Sequence, residues 1–451
     1  MTRRAIAPGL ALLLVCSPLA AANAERNLFV SPSGAWSGTG TAADPFARLT
    51  DAVARVRELH AAGDTDTITI HVAPGRYLVS RVPQDLVTEP LPIVVDVSDV
   101  KILGATELAL DPETNTPISA LPGESVLVAA QTLVGGEGMI LLTPDAGGHA
   151  PHGVRISGLT LDGVGFGGQG MFVDRAQEFL IHGNVATRFV DGVRTRDASG
   201  DLRGNLMLGN QNTGMTITAG SNVSPAVVRI TENRAGGSEI GILLVATGTN
   251  ALASPNAAPI TAQFDPAVDA DTIPNRLTAS VRNNVMSSNT IAGLRVFAVG
   301  QLQNSYSLLN ATRYETFVSL DSRGNRYFEN TYGISLDAGF PRRSSTLAYT
   351  SVIDARFRDE VPSNNVTANA FFGFVRLQVA TGVASPVNFE PLSGATLTVD
   401  ADEGLLQGLN FSHPATDSIG GASLANRLIV NGVEVPNGAC IGVCPDPLDE
   451  H

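Results

Sequence analysis

The stretch Gly204-Asn-Leu-Met-Leu-Gly-Asn210-Gln-Asn-Thr-Gly214-Met-Thr-Ile217 decides the fold, because its pattern returns along the chain. An Asn is followed by a second turn residue and then by a Gly that opens a short alternating run. Asn184 leads to Phe189 and Gly192, Asn233 to Ser238 and Gly241, Asn284 to Asn289 and Gly293, and Asn325 to Asn330 and Gly333. A sixth copy is read at Asn364-Asn365, with Asn369 and Gly373. The interval from Asn to Gly is eight or nine residues in every copy, which chance does not produce.

The physical reading is a stacked coil. Asn tolerates left-handed backbone angles, bonds its own turn, and can ladder with identical side chains above and below. Gly opens each strand where the backbone is expected to bend sharply. After each Gly the alternation sends one set inward: Met171 and Val173, Met215 and Ile217, Ile242 and Leu244, Leu294 and Val296, Ile334 and Leu336. Each short strand buries little by itself, so only stacking yields a continuous core. The leucine lattice of leucine-rich repeats is missing, and a propeller would need longer units with aromatic signatures. The chain is therefore read as all-β, a parallel β-helix.

Outward from that region, Asn27-Leu-Phe-Val-Ser-Pro-Ser-Gly34 reads as a strand and turn. Leu49, Ala52, Val53, Val56 and Leu59 then lie at helical spacing, with Thr50 or Asp51 as N-cap and Gly63 beyond the end. The expected organisation is a signal peptide over 1–24, an N-terminal cap with the first strands over 25–90, and the β-helix over 91–403. A loop insertion falls near 249–277, and a C-terminal cap and tail occupy 404–451.

Composition agrees with a thin, turn-rich architecture. Gly is 46 of 451 residues and aromatics are only 5%, which disfavours one bulky globular core. Hydrophobics at 43% exclude wholesale disorder, and the charge of −14 argues against a nucleic-acid binder. Arg3 and Arg4, the apolar run Leu10 to Val15 and Ala22-Asn-Ala24 form a secretory signal too short to span a bilayer. The protein is therefore expected to be secreted or periplasmic. Cys440 and Cys444 then read as one local disulfide, since a zinc site would need further ligands.

Phe29-Val-Ser-Pro-Ser-Gly34, Gly40-Thr-Ala-Ala-Asp-Pro-Phe46, the helix and Ala73-Pro-Gly-Arg-Tyr77 resemble the N-terminal signature of secreted right-handed parallel β-helix proteins. The similarity is to the domain of unknown function DUF1565, and the Asn/Gly repeats resemble the wider pectate-lyase-like superfamily. The resemblance implies a single right-handed solenoid whose short N-terminal α-helix caps the apolar column. It reports fold rather than activity.

The outward row holds Phe172 and Asp174, Arg194 and Arg196, Thr216 and Thr218, Leu243 and Val245, Arg295 and Phe297, Ser335 and Asp337, Arg376 and Gln378. Arginine forks and aromatics suit an anionic sugar polymer; the plainer alternative is a solvated ladder of charges. Asp174, Arg194, Arg196 and Asp197 are the candidate catalytic set, with Phe172, Arg295, Phe297, Asp337 and Arg376 as substrate-binding residues. Polysaccharide lyases on this fold use Lys or Arg as base and often Ca²⁺ on clustered aspartates, which Arg194 or Arg196 with Asp174, Asp191 and Asp197 would imitate. Asp174 with Asp197 is the pair a hydrolase would need. No other cofactor is expected. The Arg-x-Pro-x-x-Arg motif of pectate lyases is absent, because Arg81-Val-Pro-Gln-Asp-Leu86 lacks the second arginine. Lys101, the single lysine, sits in an early strand, a poor place for a base, while His149 and His152 form a loop pair with weak metal potential. The expected partner is an extracellular polysaccharide, bound and in one version cleaved. The alternative is a non-catalytic structural or surface-assembly protein of the envelope. Arg196 is taken as external to the core, so its loss is expected to spare stability.

Overall fold

The structure is a computed structural model that describes residues 26–83, 85–134, 136–220, 225–247, 275–303, 312–314, 316–338, 347–349, 351–362, 375–379, 395–402, 405, 409–412, 427–434 and 440–441. Its strands form three long, predominantly parallel sheets, here called A, B and C. The chain visits them in a fixed cycle. Gln177–His182 lies in sheet A, Val185–Thr187 in B and Asp191–Arg196 in C, after which Ser199–Arg203 returns to A beside its predecessor. The repeats are therefore successive turns stacked across three parallel sheets.

The predicted inward set is the core: Met171, Val173, Met215, Ile217, Ile242, Leu244, Leu294, Val296, Ile334 and Leu336 are all fully buried. Sheet A contributes Ile70, Ile102, Ile156, Ile181, Leu202 and Ile230 to the same column, and sheet B Leu127, Leu161 and Met207. The outward row also holds in register. Phe172, Arg194, Thr216, Leu243, Arg295, Ser335 and Arg376 are paired strand to strand, as are Asp174, Arg196, Thr218, Val245, Phe297, Asp337 and Gln378.

The asparagines ladder through the corner between sheets A and B. The Oδ1 atoms of Asn205, Asn233, Asn284 and Asn325 each accept the backbone N–H and the Nδ2–H of the Asn one turn before, at 2.8–3.2 Å. All five asparagines from Asn184 to Asn325 are buried, so their amides have no water to fall back on. A second ladder at the B-to-C corner joins Asn289 to Asn330, and the Phe189 N–H donates to Asn210.

Three local expectations are corrected. The left-handed residue is the one before each ladder Asn, filled by Gly183, Gly204, Glu232, Asn283 and Gly324. The glycines that open the sheet C strands are needed for close approach rather than for a bend: a Cβ at Gly192 would sit 2.6 Å from the Gly214 carbonyl oxygen. The sixth ladder position is Glu360, not Asn365. Val361 pairs with Arg326, Asp359 takes the left-handed conformation, and Asn325 Nδ2 donates to Glu360 Oε1. Asn364, Asn365, Asn369 and Gly373 lie outside the described residues. Burial pushes the Glu360 carboxyl up to about 7, against hydrogen bonds from Ser322, Asn325 and Tyr327.

The helix Leu49–Ala61 buries Leu49, Ala52, Val53 and Val56 against the first strands of the sheets. Its N-cap is Arg48, with no capping side chain of its own. The cap comes instead from Glu89, whose carboxylate accepts from the N–H groups of Leu49 and Thr50 and from Thr50 Oγ1. Burial pushes Glu89 up to about 7, against those same hydrogen bonds. At the other end, Leu409–Ser412 and Arg427–Val430 extend sheets C and A in parallel, and antiparallel Val433–Glu434 and Cys440–Ile441 follow. The coil thus continues past residue 404. Cys444 and the insertion's residues 249–274 lie outside the described residues. No described helix is long and apolar enough to cross a membrane.

Candidate functional site

The outer face of sheet C gathers most of the chemistry into two blocks, each built on two adjacent strands. In the first, Gln169–Asp174 supplies Phe172 and Asp174, and Asp191–Arg196 supplies Asp191, Arg194 and Arg196. Asp174 stands directly opposite Arg196, whose Nε donates to Asp174 Oδ1 at 2.8 Å. Arg175 Nη2 reaches the other oxygen of Asp174 at 3.5 Å, and the Arg196 guanidinium lies 5.3 Å from the Phe172 ring centroid. Arg194 Nη1 is 3.8 Å from Asp191 Oδ2. Thr213 Oγ1 donates to Asp191 Oδ1 at 2.8 Å and lies 2.6 Å from Thr216 Oγ1. Burial raises the Asp191 carboxyl above its ordinary range, opposed by those threonines and by the Arg194 charge.

In the second block, Arg295 lies 4.3 Å over the Phe297 ring and donates to Asp337 Oδ2 from Nε and Nη2 at 3.4 and 3.3 Å. Ser335 Oγ also donates to Asp337 Oδ2, at 3.4 Å. The blocks are separated along the coil by four strand steps, about 19 Å at ~4.8 Å per step. Thr216, Thr218, Leu243 and Val245 fill the interval.

Among the residues chosen from sequence, Asp174, Arg194, Arg196 and Phe172 are brought together, and so are Arg295, Phe297 and Asp337. The backbone of Arg376 continues the row between Ser335 and Asn410, while its side chain is outside the description. Asp197 is put to another use. It is 1% exposed in a left-handed turn, and its Oδ1 accepts the Gly220 N–H at 2.7 Å, which is a corner-fastening role. Asp191 joins the block in its place, yet lies five residues from the level of Asp174, roughly 16 Å along the strand. That exceeds the roughly 5–9.5 Å between the carboxyls of glycosidases, and it is too far for the two to share one cation. Among the described residues no three His, Cys, Asp or Glu side chains are grouped to hold a metal ion. His149 instead pairs with Asp145 at 3.0 Å, and His152 lies 3.7 Å from Asp99.

Asp191 was read from sequence only as one carboxylate of a lyase-like cluster and not as part of the outward row, because the alternation starts after Gly192 and is silent on the residue before it. Its sequence signal was weaker: an aspartate three residues ahead of an outward arginine. Arg175 and Thr213 carry no local signal, since their roles depend on strands aligned by the coil.

No protein-family model matches the chain. No curated protein matches it either. Among solved structures it is similar to the catalytic domain of a GH87 alpha-1,3-glucanase in complex with tetrasaccharides, at 13% identity over 90% of this chain and 70% of that one, with a TM-score of 0.39. A mutant of the periplasmic alginate epimerase AlgG aligns at 12% identity over 81% of this chain and 76% of that one, with a TM-score of 0.37. The catalytic unit of a GH87 alpha-1,3-glucanase from Streptomyces thermodiastaticus strain HF3-3 aligns at 13% identity over 89% and 67%, with a TM-score of 0.34. Similarity at this level carries neither activity nor substrate to this chain. The fold rests on the sheets themselves, and the likeness to DUF1565 rests on the opening motifs alone.

Proposed function

We propose that this protein is a secreted, single-solenoid, right-handed parallel β-helix that binds a linear, uronate-containing polysaccharide along the outer face of sheet C. The right-handed sense follows from the strong preference of parallel crossovers for that hand, and export from the N-terminal signal pattern. The observation that carries the binding function is the first block. Three guanidiniums, Arg175, Arg194 and Arg196, share two aspartates, Asp174 and Asp191, beside the Phe172 ring. Arg194 is the most loosely held of the three, 3.8 Å from Asp191, next to an aromatic surface. A sugar carboxylate bonds that guanidinium through a bidentate fork, and the ring carries the apolar side of the sugar. The second block repeats the arginine–phenylalanine–aspartate unit with a single arginine held by Asp337, so it suits hydroxyls of the same chain. Binding is the main proposal, since Asp191 lies too far from Asp174 for hydrolase spacing and Asp197 is engaged by the Gly220 N–H; lyase cleavage, Ca²⁺-assisted or not, is read by the same assay.

Affinity electrophoresis against uronate and neutral polymers, with absorbance of unsaturated products and reducing ends followed in parallel, tests this. Retardation by a uronate polymer is expected, weakened about tenfold in Arg194→Ala, as suits the loss of one charge-assisted hydrogen bond of ~1.5 kcal/mol. Arg194 is the variant of choice because its ion pair is the loosest of the block. If no polymer retards the protein, or if Arg194→Ala binds as well as the parent chain, the proposal is wrong. The non-catalytic scaffold role then takes its place.

A further inference from the structure

A hairpin of strands Leu108–Leu110 and Pro117–Ala120 leaves the coil between sheets A and B, early in the chain. It does not stay near its own turn. At its root, Thr106 Oγ1 lies 3.2 Å from Thr160 Oγ1, and Thr160 Oγ1 donates to Glu124 Oε2 at 2.6 Å. Midway, Pro117–Ala120 packs against Leu206–Leu208. At its tip, Asp111 Oδ2 meets Arg234 Nη2 at 3.5 Å and Glu113 Oε2 meets Arg326 Nη1 at 3.4 Å. Those last partners are 123 and 213 residues apart in sequence. From the strand Ser125–Ala129 to the strand Arg326–Phe328 is six strand steps of sheet B, about 29 Å. The hairpin therefore lies along the coil axis, across the strands.

The sheet beneath it shows the cover. One outward column of sheet B runs Arg76, Val126, Thr160, Val185, Leu206, Arg234, Val285, Arg326 and Val361. These side chains face away from the core, yet Thr160, Val185, Leu206 and Val285 are buried. At the two ends, Arg76 and Val361 are exposed. The stretch over which an outward column is buried is the stretch the hairpin spans. Thr116 and Pro117 of the hairpin are buried in return.

We infer that this hairpin is a splint that makes the coils from Ser125–Ala129 to Arg326–Phe328 open as one unit. In a solenoid each coil touches only its neighbours, so stability is a sum of nearest-neighbour terms and the stack can fray coil by coil from an end. A strap bonded to distant coils removes that freedom: the later coils cannot leave without lifting the strap and wetting Val185, Leu206 and Val285. The same coils carry both blocks of sheet C, so the splint also holds their 19 Å spacing at about four strand steps.

Hydrogen exchange on the full chain tests the splint, comparing the parent with a variant in which residues 107–121 are replaced by a short glycine linker. In the parent, the hairpin amides and those of the later coils, Arg276–Arg282 through Arg326–Phe328, are expected to share one exchange rate. In the variant, the later coils should exchange at least tenfold faster, while the coils before Ser125 change little. If the deleted chain does not fold, charge reversal at the tip decides. Glu113→Arg alone and Arg326→Glu alone should each speed hairpin exchange several-fold, and the two together should restore it. A hairpin that exchanges freely while the sheet beneath stays protected, a deletion that leaves the later coils unchanged, or a double reversal that restores nothing would each overturn the inference.

Discussion

Sheets A and C carry the same chemistry on their outer faces, arginines paired with carboxylates across neighbouring turns, but they differ in water. On sheet A, Arg229 pairs with Asp201 and Arg203 with Glu232 at side-chain exposures of 69% and 56% for the arginines. On sheet C, Arg196 and Arg295 are 15% and 17% exposed, and their partners Asp174 and Asp337 are 6% and 2%. An exposed pair gains little, because water screens both charges and two long side chains lose freedom. A buried pair is different: breaking it strands a charge that has already lost its hydration. The sheet A pairs form a solvated ladder, whereas the sheet C pairs are drawn largely out of water, which is why the proposed site is put there.

The largest expected effect breaks the two apart directly. Arg196→Ala leaves Asp174 buried with only the longer contact from Arg175, so it should cost about 3 kcal/mol of stability in urea unfolding. Arg229→Ala on sheet A should cost less than ~1 kcal/mol. This departs from the expectation that Arg196 is external and dispensable: its side chain points away from the core, but it lies over the Phe172 ring and is hydrogen-bonded to Asp174. Equal costs for the two variants would erase the distinction between the faces.

A pH scan sharpens it next. Asp191 on sheet C, Glu89 under the helix and Glu360 at the end of the asparagine ladder are all raised by burial, the two glutamates to about 7. The folded chain then binds more protons than the unfolded chain between the ordinary carboxyl range and about 7. The stabilisation these groups provide is complete below their unfolded values and is lost as pH rises through the folded ones. Stability should therefore fall from pH ~4.5 to ~7, by at most about 3 kcal/mol for each glutamate. Glu89→Gln and Glu360→Gln should flatten the profile, and Asp191→Asn should remove the share belonging to sheet C. A profile that Glu89→Gln and Glu360→Gln leave unchanged would contradict the burial of these groups.

Salt gives the smallest contrast. Raising it to about 0.5 M should abolish the already small cost of Arg229→Ala, because exposed charges are screened within a few ångströms. The cost of Arg196→Ala should persist, since solvent ions do not reach between its partners.

Much of the coil was legible because its rules are local. Alternation after Gly192, Gly214, Gly241, Gly293 and Gly333 names the inward and outward residues without reference to anything distant. The asparagines at the corners report a turn wherever they stand. The same locality explains the misses. Asn365 has the right neighbours in sequence, but the rung after Asn325 is filled five residues earlier by Glu360, where hydrogen bonding to Asn325 and the pairing of Val361 with Arg326 set the register. Thr50 and Asp51 looked like caps, but the helix end is capped by Glu89 from 40 residues beyond Leu49.

By itself, then, the sequence determined that short strands stack into parallel sheets, which side chains line the column, and which ones form the outward rows. Tertiary structure decided which outward residues stay wet. Asp197 was drawn into a corner by Gly220, Asp191 was brought to Arg194 and Thr213, and Leu206 and Val285 were roofed by a hairpin that begins about a hundred residues or more before them. The reason is physical. Which way a side chain points depends on its immediate neighbours along the strand, whereas its burial depends on whatever the rest of the chain lays over it.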